Sequence, residues 1–519
     1  MKVNRSQMET QQNRQNMSPF ALSPDYQDPG LERYRGNPFI EALPPIMSAL
    51  EVGAKLAKYP PFDPGLVNKL PELRMHELLV LDEFFVPMER HIELEQWISQ
   101  NIRAGYAAKN PINLRSGTGL AEAARTKLVS PIPPGIRYVQ RSASLTGTSG
   151  VGKSYSLDQI LSLMNPVIYH SEYISPCRKD LKGVWVGRHQ ITWMKVECPF
   201  DGSPRSFCKA LLLEFDKRLG STFADDFGDK NASVGDMTTR IANEIANNAV
   251  GLLVIDEIQN LLNAKTGGVK QLLSLFVEIE NRMCIPLLLV GTPKALSVLS
   301  AEFRQARRGT GMSGPEWYPP AGTDDDWILF ADKLWQYNYL QKGSGGEKMP
   351  EEIRDKLFDL TQGISGLAKV LFALAQRRAM NDGSELLTPA LLQREYDRSF
   401  VLDDRFLTAL RKRDFNLLRT MPDIFSERLT QKLSVQAYLF SPSEDSGDSV
   451  PSKPEAGYEA VPPVRKGEPK TQQEKKAASP RDCPVKDTLM HLVQEYRGNL
   501  KSNYEALKLA GGVIRPQTQ

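Results

Sequence analysis

The sequence predicts an α/β fold: a parallel sheet flanked by helices around a phosphate-binding loop, with a helical lid after it. Three observations carry this. A short apolar stretch, Ala143–Thr146, runs into a glycine-rich loop and then into a helical pattern. Apolar runs of strand length, Leu252–Ile255 and Pro286–Val290, alternate with helical patterns over residues 131–300, the arrangement that gives a parallel sheet buried on both faces. Residues 350–400 read as all-helical, and Thr388-Pro389 supplies a capping hydroxyl followed by proline at the first helical position.

The loop reads Gly147-Thr148-Ser149-Gly150-Val151-Gly152-Lys153-Ser154, the G-x-x-x-x-G-K-S pattern. Its glycines let backbone N–H groups turn inward toward anionic oxygens. Lys153 would reach the β- and γ-phosphates of a nucleoside triphosphate, and Ser154 would place its hydroxyl on Mg²⁺. Tyr155–Leu163 then reads as a helix, with Leu157, Ile160, Leu161 and Leu163 on its apolar side, so the phosphates would meet a helix N-terminus.

Further along, Ile191–Cys198 has strand composition, and Phe207, Leu211 and Phe215, then Met237, Ile241 and Ile245, mark two helix faces. Gly251-Leu-Leu-Val-Ile-Asp256-Glu257 is an apolar strand ending in two carboxylates. Asp256 is the candidate for the Mg²⁺ shell, and Glu257 the candidate that orients and polarises the attacking water. Thr292 ends another buried strand, where it could sense the γ-phosphate or position the water; a plain strand-ending turn is the alternative. Arg304, Arg307 and Arg308 follow. An arginine supplied to a neighbouring subunit could neutralise charge developing in phosphoryl transfer, and a solvated basic face is the competing reading. Lys369 opens a lid helix and could contact phosphate from above. The basic residues Arg178, Lys179, Lys182 and Arg188, near Trp185, are the best basic candidates for contacts to a polyanion such as DNA, whose phosphates attract Lys and Arg; a solvated loop is the alternative.

Composition sets the frame. The 519 residues carry 65 Lys and Arg against 62 Asp and Glu, a net charge of +3, with 24% charged and 41% hydrophobic residues. These are ordinary values for a multidomain globular chain, and the charge neither demands nor opposes nucleic acid. The five scattered cysteines form no C-x-x-C pair and the five histidines show no metal-ligand spacing, which argues against a zinc site or a disulfide framework. No apolar run approaches the roughly 18 residues of a membrane span, and the polar start carries no secretory signal. The expectation is a cytoplasmic protein without membrane contact. The expected organisation is a disordered tail at 1–30, a helical N-terminal domain at 31–130, the ATPase core at 131–345, the lid at 346–400, a helical extension at 401–440, a disordered linker at 441–485, and a candidate partner-binding segment at 486–519.

Taken together, the phosphate loop, Asp-Glu strand, Thr-tipped strand, distal arginines and helical lid resemble an AAA+ ATPase. Ser142–Gly147 leading into the loop, Val196-Glu-Cys-Pro-Phe-Asp-Gly202, Leu253-Val-Ile-Asp-Glu-Ile-Gln259, Gly291-Thr-Pro-Lys294, Ala306-Arg-Arg308, Gln362-Gly363-Ile364 and Ala375-Gln376 resemble TnsC and the related TniB, the ATP-dependent regulators of heteromeric Tn-seven-type DNA transposons. The likeness spans roughly residues 100–400. It implies ATP and Mg²⁺ as cofactors, with Lys153, Ser154, Asp256 and Glu257 as the nucleotide and metal residues and Arg307 or Arg308 as the arginine acting in trans. It also implies a bacterial, DNA-associated homo-oligomer, a ring or spiral on double-stranded target DNA. Its partners would be a target selector of the TnsD/TniQ kind and transposase subunits of the TnsA and TnsB kind. The alternatives are an ATP-bound scaffold in which hydrolysis is incidental, and an AAA+ replication loader or helicase-like motor.

Overall fold

The computed structural model describes residues 18–112, 142–147, 151–227, 233–264, 268–283, 285–292, 316–320, 322, 324–343, 346–400 and 404–412. The chain divides into two units, Met1–Leu439 and Phe440–Gln519, and all described residues lie in the first. The expected linker and terminal segment, together with the basic residue Arg413, lie outside the described residues.

Before the sheet come α1 (Pro38–Glu41), α2 (Ala49–Leu56), α3 (Pro71–Glu77) and the long α4 (Glu89–Ala108). The central sheet is built from β1 (Ala143–Gly147), β4 (Met194–Glu197), β5 (Leu253–Asp256) and β6 (Leu287–Gly291), all parallel, in the spatial order β4-β5-β6-β1. A two-residue strand, β7 (Glu316–Trp317), pairs in parallel on the outer side of β1. Between β1 and β4 in sequence lie α5 (Lys153–Leu161) and a separate antiparallel hairpin, β2 (Val167–Ile174) with β3 (Lys182–Ile191). The strand expected over Ile191–Cys198 is thus two pieces: the end of β3, then β4.

Alternation along the strands fixes the layers, because successive strand residues face opposite sides. Leu253, Ile255, Leu287 and Leu289 share one core with Phe207, Leu211 and Phe215 of α6 (Pro204–Leu219), Met237, Ile241 and Ile245 of α8 (Val234–Asn247) and Leu272 and Phe276 of α9 (Gly268–Met283). A short helix, α7 (Phe223–Phe227), packs on α6. Val254, Leu288 and Val290 are equally buried but face the other way. Beyond the sheet, α5 packs against α4, where Ile98, Ile102 and Tyr106 are fully buried.

The expected lid holds α11 (Glu351–Thr361), α12 (Ser365–Asn381) and α13 (Pro389–Ser399), and their core also takes in α10 (Asp325–Trp335), which was expected in the ATPase core, and α14 (Asp404–Arg411), which was expected in the helical extension. The Thr388 hydroxyl accepts from the Leu391 N–H, the cap its sequence predicts. The lid core is not made by the lid alone. Leu78, Leu81, Phe84, Val86 and Met88, from the apolar cluster ahead of α4, are part of it. Arg74 of α3, fully buried, locks this junction with paired bonds to Glu385 at 2.6 and 2.7 Å and a third to the Tyr339 carbonyl at 2.8 Å. Residues expected to form an N-terminal domain therefore serve two cores.

Residues 18–30 fall in the stretch expected as a disordered tail, yet they pack on the hairpin. Leu22 bridges to Ile168, Tyr26 shares a hydrogen bond with His170 at 2.8 Å, and the Ser18 hydroxyl donates to the Arg218 carbonyl at 2.6 Å. Low apolar content hid this, because the contacts are mainly polar and directed.

Candidate nucleotide site

The carboxyl ends of β1, β5 and β6 lie side by side and bring together Gly147, Lys153, Asp256, Glu257 and Thr292. β7 can lie this close to the end of β1 at Gly147 only because no Cβ is present: one there would collide with the Trp317 carbonyl. Val151, Gly152 and Ser154 continue the loop into α5, while Thr148, Ser149 and Gly150 lie outside the described residues.

Lys153 is buried, and its ammonium donates to the Gly147 carbonyl at 2.9 Å. Burial pushes its pKa down to about 8, against the pull of the Asp256 and Glu257 carboxylates. Asp256 is also buried; one carboxylate oxygen accepts from the Glu257 N–H at 2.9 Å, and the other lies 3.4 Å from the Lys195 ammonium. Lys195, on β4, also pairs with Asp158 of α5 at 2.7 Å. Burial alone would lower the Lys195 pKa, but the two carboxylates outweigh it and hold it above the usual lysine range. Lys195 therefore ties the phosphate-loop helix to the carboxylate strand.

Glu257 is half-buried and adopts φ +54°, the left-handed region that costs a residue with a side chain on the order of 1 kcal/mol. Burial, then the neighbouring Asp256, raises its pKa above the ordinary carboxylate range. A carboxylate made more basic in this way suits the acceptance of a proton from water. Thr292 is buried at the tip of β6. Its hydroxyl and that of Thr146 near the end of β1 have no hydrogen-bond partner among the described residues. Buried hydroxyls left unpaired at the mouth of a phosphate loop fit an incoming anion.

The donor set also fits Mg²⁺. Ser154 and Asp256 offer hard oxygens, and Mg²⁺ in phosphate sites takes one or two protein ligands together with substrate phosphates. No cluster of three or more His, Cys, Asp or Glu able to hold a metal by itself occurs among the described residues.

Lys369 sits in the second turn of α12. It is buried, its ammonium donates to the Phe84 carbonyl at 3.1 Å, and it lies 5.7 Å from the centre of the Tyr155 ring at the start of α5. Burial pushes its pKa down to about 8 as well. Arg304, Arg307 and Arg308 lie outside the described residues.

Arg178, Lys179 and Lys182 come together at the turn of the β2–β3 hairpin, all exposed; Arg188 lies farther down β3, paired in register with His170. Arg178 is held by Asp180 at 2.6 Å, and Trp185 on the same hairpin is 43% exposed. The hairpin is braced from behind by Glu41, a fully buried carboxylate that accepts from Gly36 N–H, Tyr173 hydroxyl and Ser175 hydroxyl at 2.7, 2.7 and 3.1 Å.

Sequence reasoning missed Lys195 and Gln259. A lysine between the apolar Met194 and Val196 of a strand was the available signal for Lys195. Gln259, fully enclosed beside Glu257, gave none, because its role depends on how the chain turns after β5.

No helix among the described residues is long and apolar enough to cross a membrane. No curated protein matches the chain. Among solved structures it is similar to a Walker-type ATPase of Pyrococcus abyssi, at 14% identity over 56% of this chain and 84% of that chain, with a TM-score of 0.31. Residues 136–299 match the model of the AAA domain family, and the described residues among them carry the parallel sheet with flanking helices of a P-loop NTPase fold.

Proposed function

We propose that this chain is an ATP-dependent regulator of DNA transposition. Loaded with ATP, it assembles as an oligomer on double-stranded target DNA and links a target-selecting protein to the transposase; hydrolysis dissolves the assembly. The observation that carries the ATPase part is the convergence of Lys153, Asp256, Glu257 and Thr292 on one end of the sheet. The DNA part is supported by the exposed basic turn of the hairpin and by the resemblance of the motif segments to TnsC.

In this reading Lys153 exchanges the Gly147 carbonyl for β- and γ-phosphate oxygens. Ser154 and Asp256 hold Mg²⁺, which when bound neutralises phosphate charge. Glu257 orients the attacking water and accepts its proton, and the Thr292 hydroxyl donates toward the phosphate side. Assembly follows nucleotide state only if the ATP form has the higher affinity for its neighbour or for DNA.

The test is sedimentation and negative-stain imaging of the purified protein with short duplex DNA in ATP, a non-hydrolysable analogue and ADP. Rings or spirals on DNA with the triphosphate, lost with ADP, are the expected result. A monomer indifferent to nucleotide and DNA overturns the DNA-regulator reading.

A further inference from the structure

Gln259 lies in the turn that follows β5 and is 3% exposed. Its side-chain amide joins two parts of the site. The Nε2 group donates to the Glu257 carboxylate, and Oε1 accepts from the Thr292 backbone N–H at 3.1 Å. Both contacts demand the same amide orientation: reversed, an oxygen would face a carboxylate and an NH₂ would face an N–H. Room for the bridge is made at Gly291, where a Cβ would stand 2.6 Å from Gln259 Oε1 and 2.6 Å from Ile258 Cγ2. The left-handed backbone of Glu257 gives the bridge a task, since a strained residue keeps its geometry only where its surroundings over-determine it. Glu257 is held there by its own N–H on Asp256 and by its carboxylate on Gln259.

We propose that Gln259 is a positioning residue for ATP hydrolysis: its amide holds the water-activating Glu257 and registers it against the tip of β6 at Thr292. The β6 tip and the carboxylate then move as one, so whatever contacts the phosphate side of Thr292 also sets the aim of Glu257. The inference rests on the reading of Glu257 as the catalytic carboxylate. Gln259 itself touches no reacting atom.

Three single variants, Gln259→Met, Gln259→Glu and Glu257→Gln, and one double variant test it in the full-length protein, with steady-state and single-turnover ATP hydrolysis, nucleotide binding and thermal melting measured on each. Gln259→Met keeps length and apolar bulk but neither bond. Gln259→Glu keeps an acceptor for the Thr292 N–H and sets a like charge against Glu257. Each Gln259 variant is expected to lower kcat about tenfold, with KM and ATP affinity within about twofold, because aim and not binding is lost. If Gln259 acts through Glu257, the double variant Glu257→Gln/Gln259→Met hydrolyses no more slowly than Glu257→Gln alone. A wild-type kcat in Gln259→Met, a loss confined to KM, or a further tenfold loss in the double variant overturns the inference. Should Gln259→Met melt early, the same comparison is made with Gln259→Glu, alone and combined with Glu257→Gln. A Glu257→Gln variant that hydrolyses at the wild-type rate instead overturns the assignment of the base itself, a separate failure that this single variant identifies on its own.

Discussion

Lys153 in the sheet core and Lys369 in the lid are both buried, both donate to a backbone carbonyl, and burial pushes both ammonium groups down to about 8. Their surroundings differ. Lys153 has two carboxylates, Asp256 and Glu257, across the mouth of the sheet, and its carbonyl partner is the first residue of the phosphate loop itself. Lys369 has a single carboxylate, Asp82, acting on it, together with an aromatic ring and a carbonyl from the segment that enters the lid core. In the reading proposed above, the same chemical group, equally buried, exchanges its partner for phosphate in one place and braces two segments in the other. What separates the two lysines is not burial but the groups opposite each.

The sharpest way to break this comparison is at the carboxylates. Glu257→Gln is expected to lower ATP hydrolysis by about 10²–10³ while leaving ATP affinity within a fewfold, since the loss of a general base falls on the chemical step. Single-turnover hydrolysis and a binding titration check both halves. The next effect lies in the lid. Arg74→Met leaves Glu385 without its partner and the Tyr339 carbonyl without its donor; a loss of about 3 kcal/mol in unfolding free energy is expected, measured by urea denaturation. A loss below about 1 kcal/mol would mean that the junction between the N-terminal segment and the lid is held by the apolar core alone.

Acidity gives the third contrast. Phosphate binding needs the Lys153 ammonium protonated, and in the free protein that proton is lost near pH 8. Affinity for ATP should be flat below about pH 8 and then fall by up to about tenfold per unit, because each binding event must take up a proton. Calorimetric titration in buffers of different ionisation enthalpy reads that uptake directly. Affinity that stays flat to pH 10 would place the Lys153 pKa well above 8. The smallest effect belongs to Lys369→Met: ATP affinity within about threefold of wild type, since its ammonium is spent on Phe84. A tenfold loss in the same titration would show that Lys369 leaves that carbonyl to reach phosphate.

Much of the sheet core was legible in advance because its signals are local. A glycine-rich loop between a strand and a helix, and apolar strands ending in Asp-Glu and in Gly-Thr, need only a few adjacent residues to be recognised. The helix faces of α6 and α8 read correctly from 3.6-residue spacing for the same reason. The N-terminal region was harder. The cluster from Leu78 to Phe85 is plainly apolar, but nothing in it says that its partners lie about 250–320 residues later in Trp327, Phe372 and Leu392. Residues 18–30 are polar, so their order depends on partners such as His170 and Arg218 that sequence proximity does not supply.

The sequence by itself determined the chemistry available: a lysine and a hydroxyl in a phosphate-loop pattern, a strand that ends in two carboxylates, and a hairpin turn rich in Lys and Arg. Each is a property of residues close together in the chain, where spacing and backbone preference act directly. Tertiary structure alone decided how these groups are held. Strand order placed β6 between β1 and β5, so that Gln259 could reach from Glu257 to Thr292. The pairing of β4 with β5 set Lys195 near Asp256, the packing of α5 brought Asp158 to it, and the fold of the N-terminal segment brought Arg74 to Glu385. Those pairings join residues up to 311 positions apart, and only the closing of the chain on itself sets such distances.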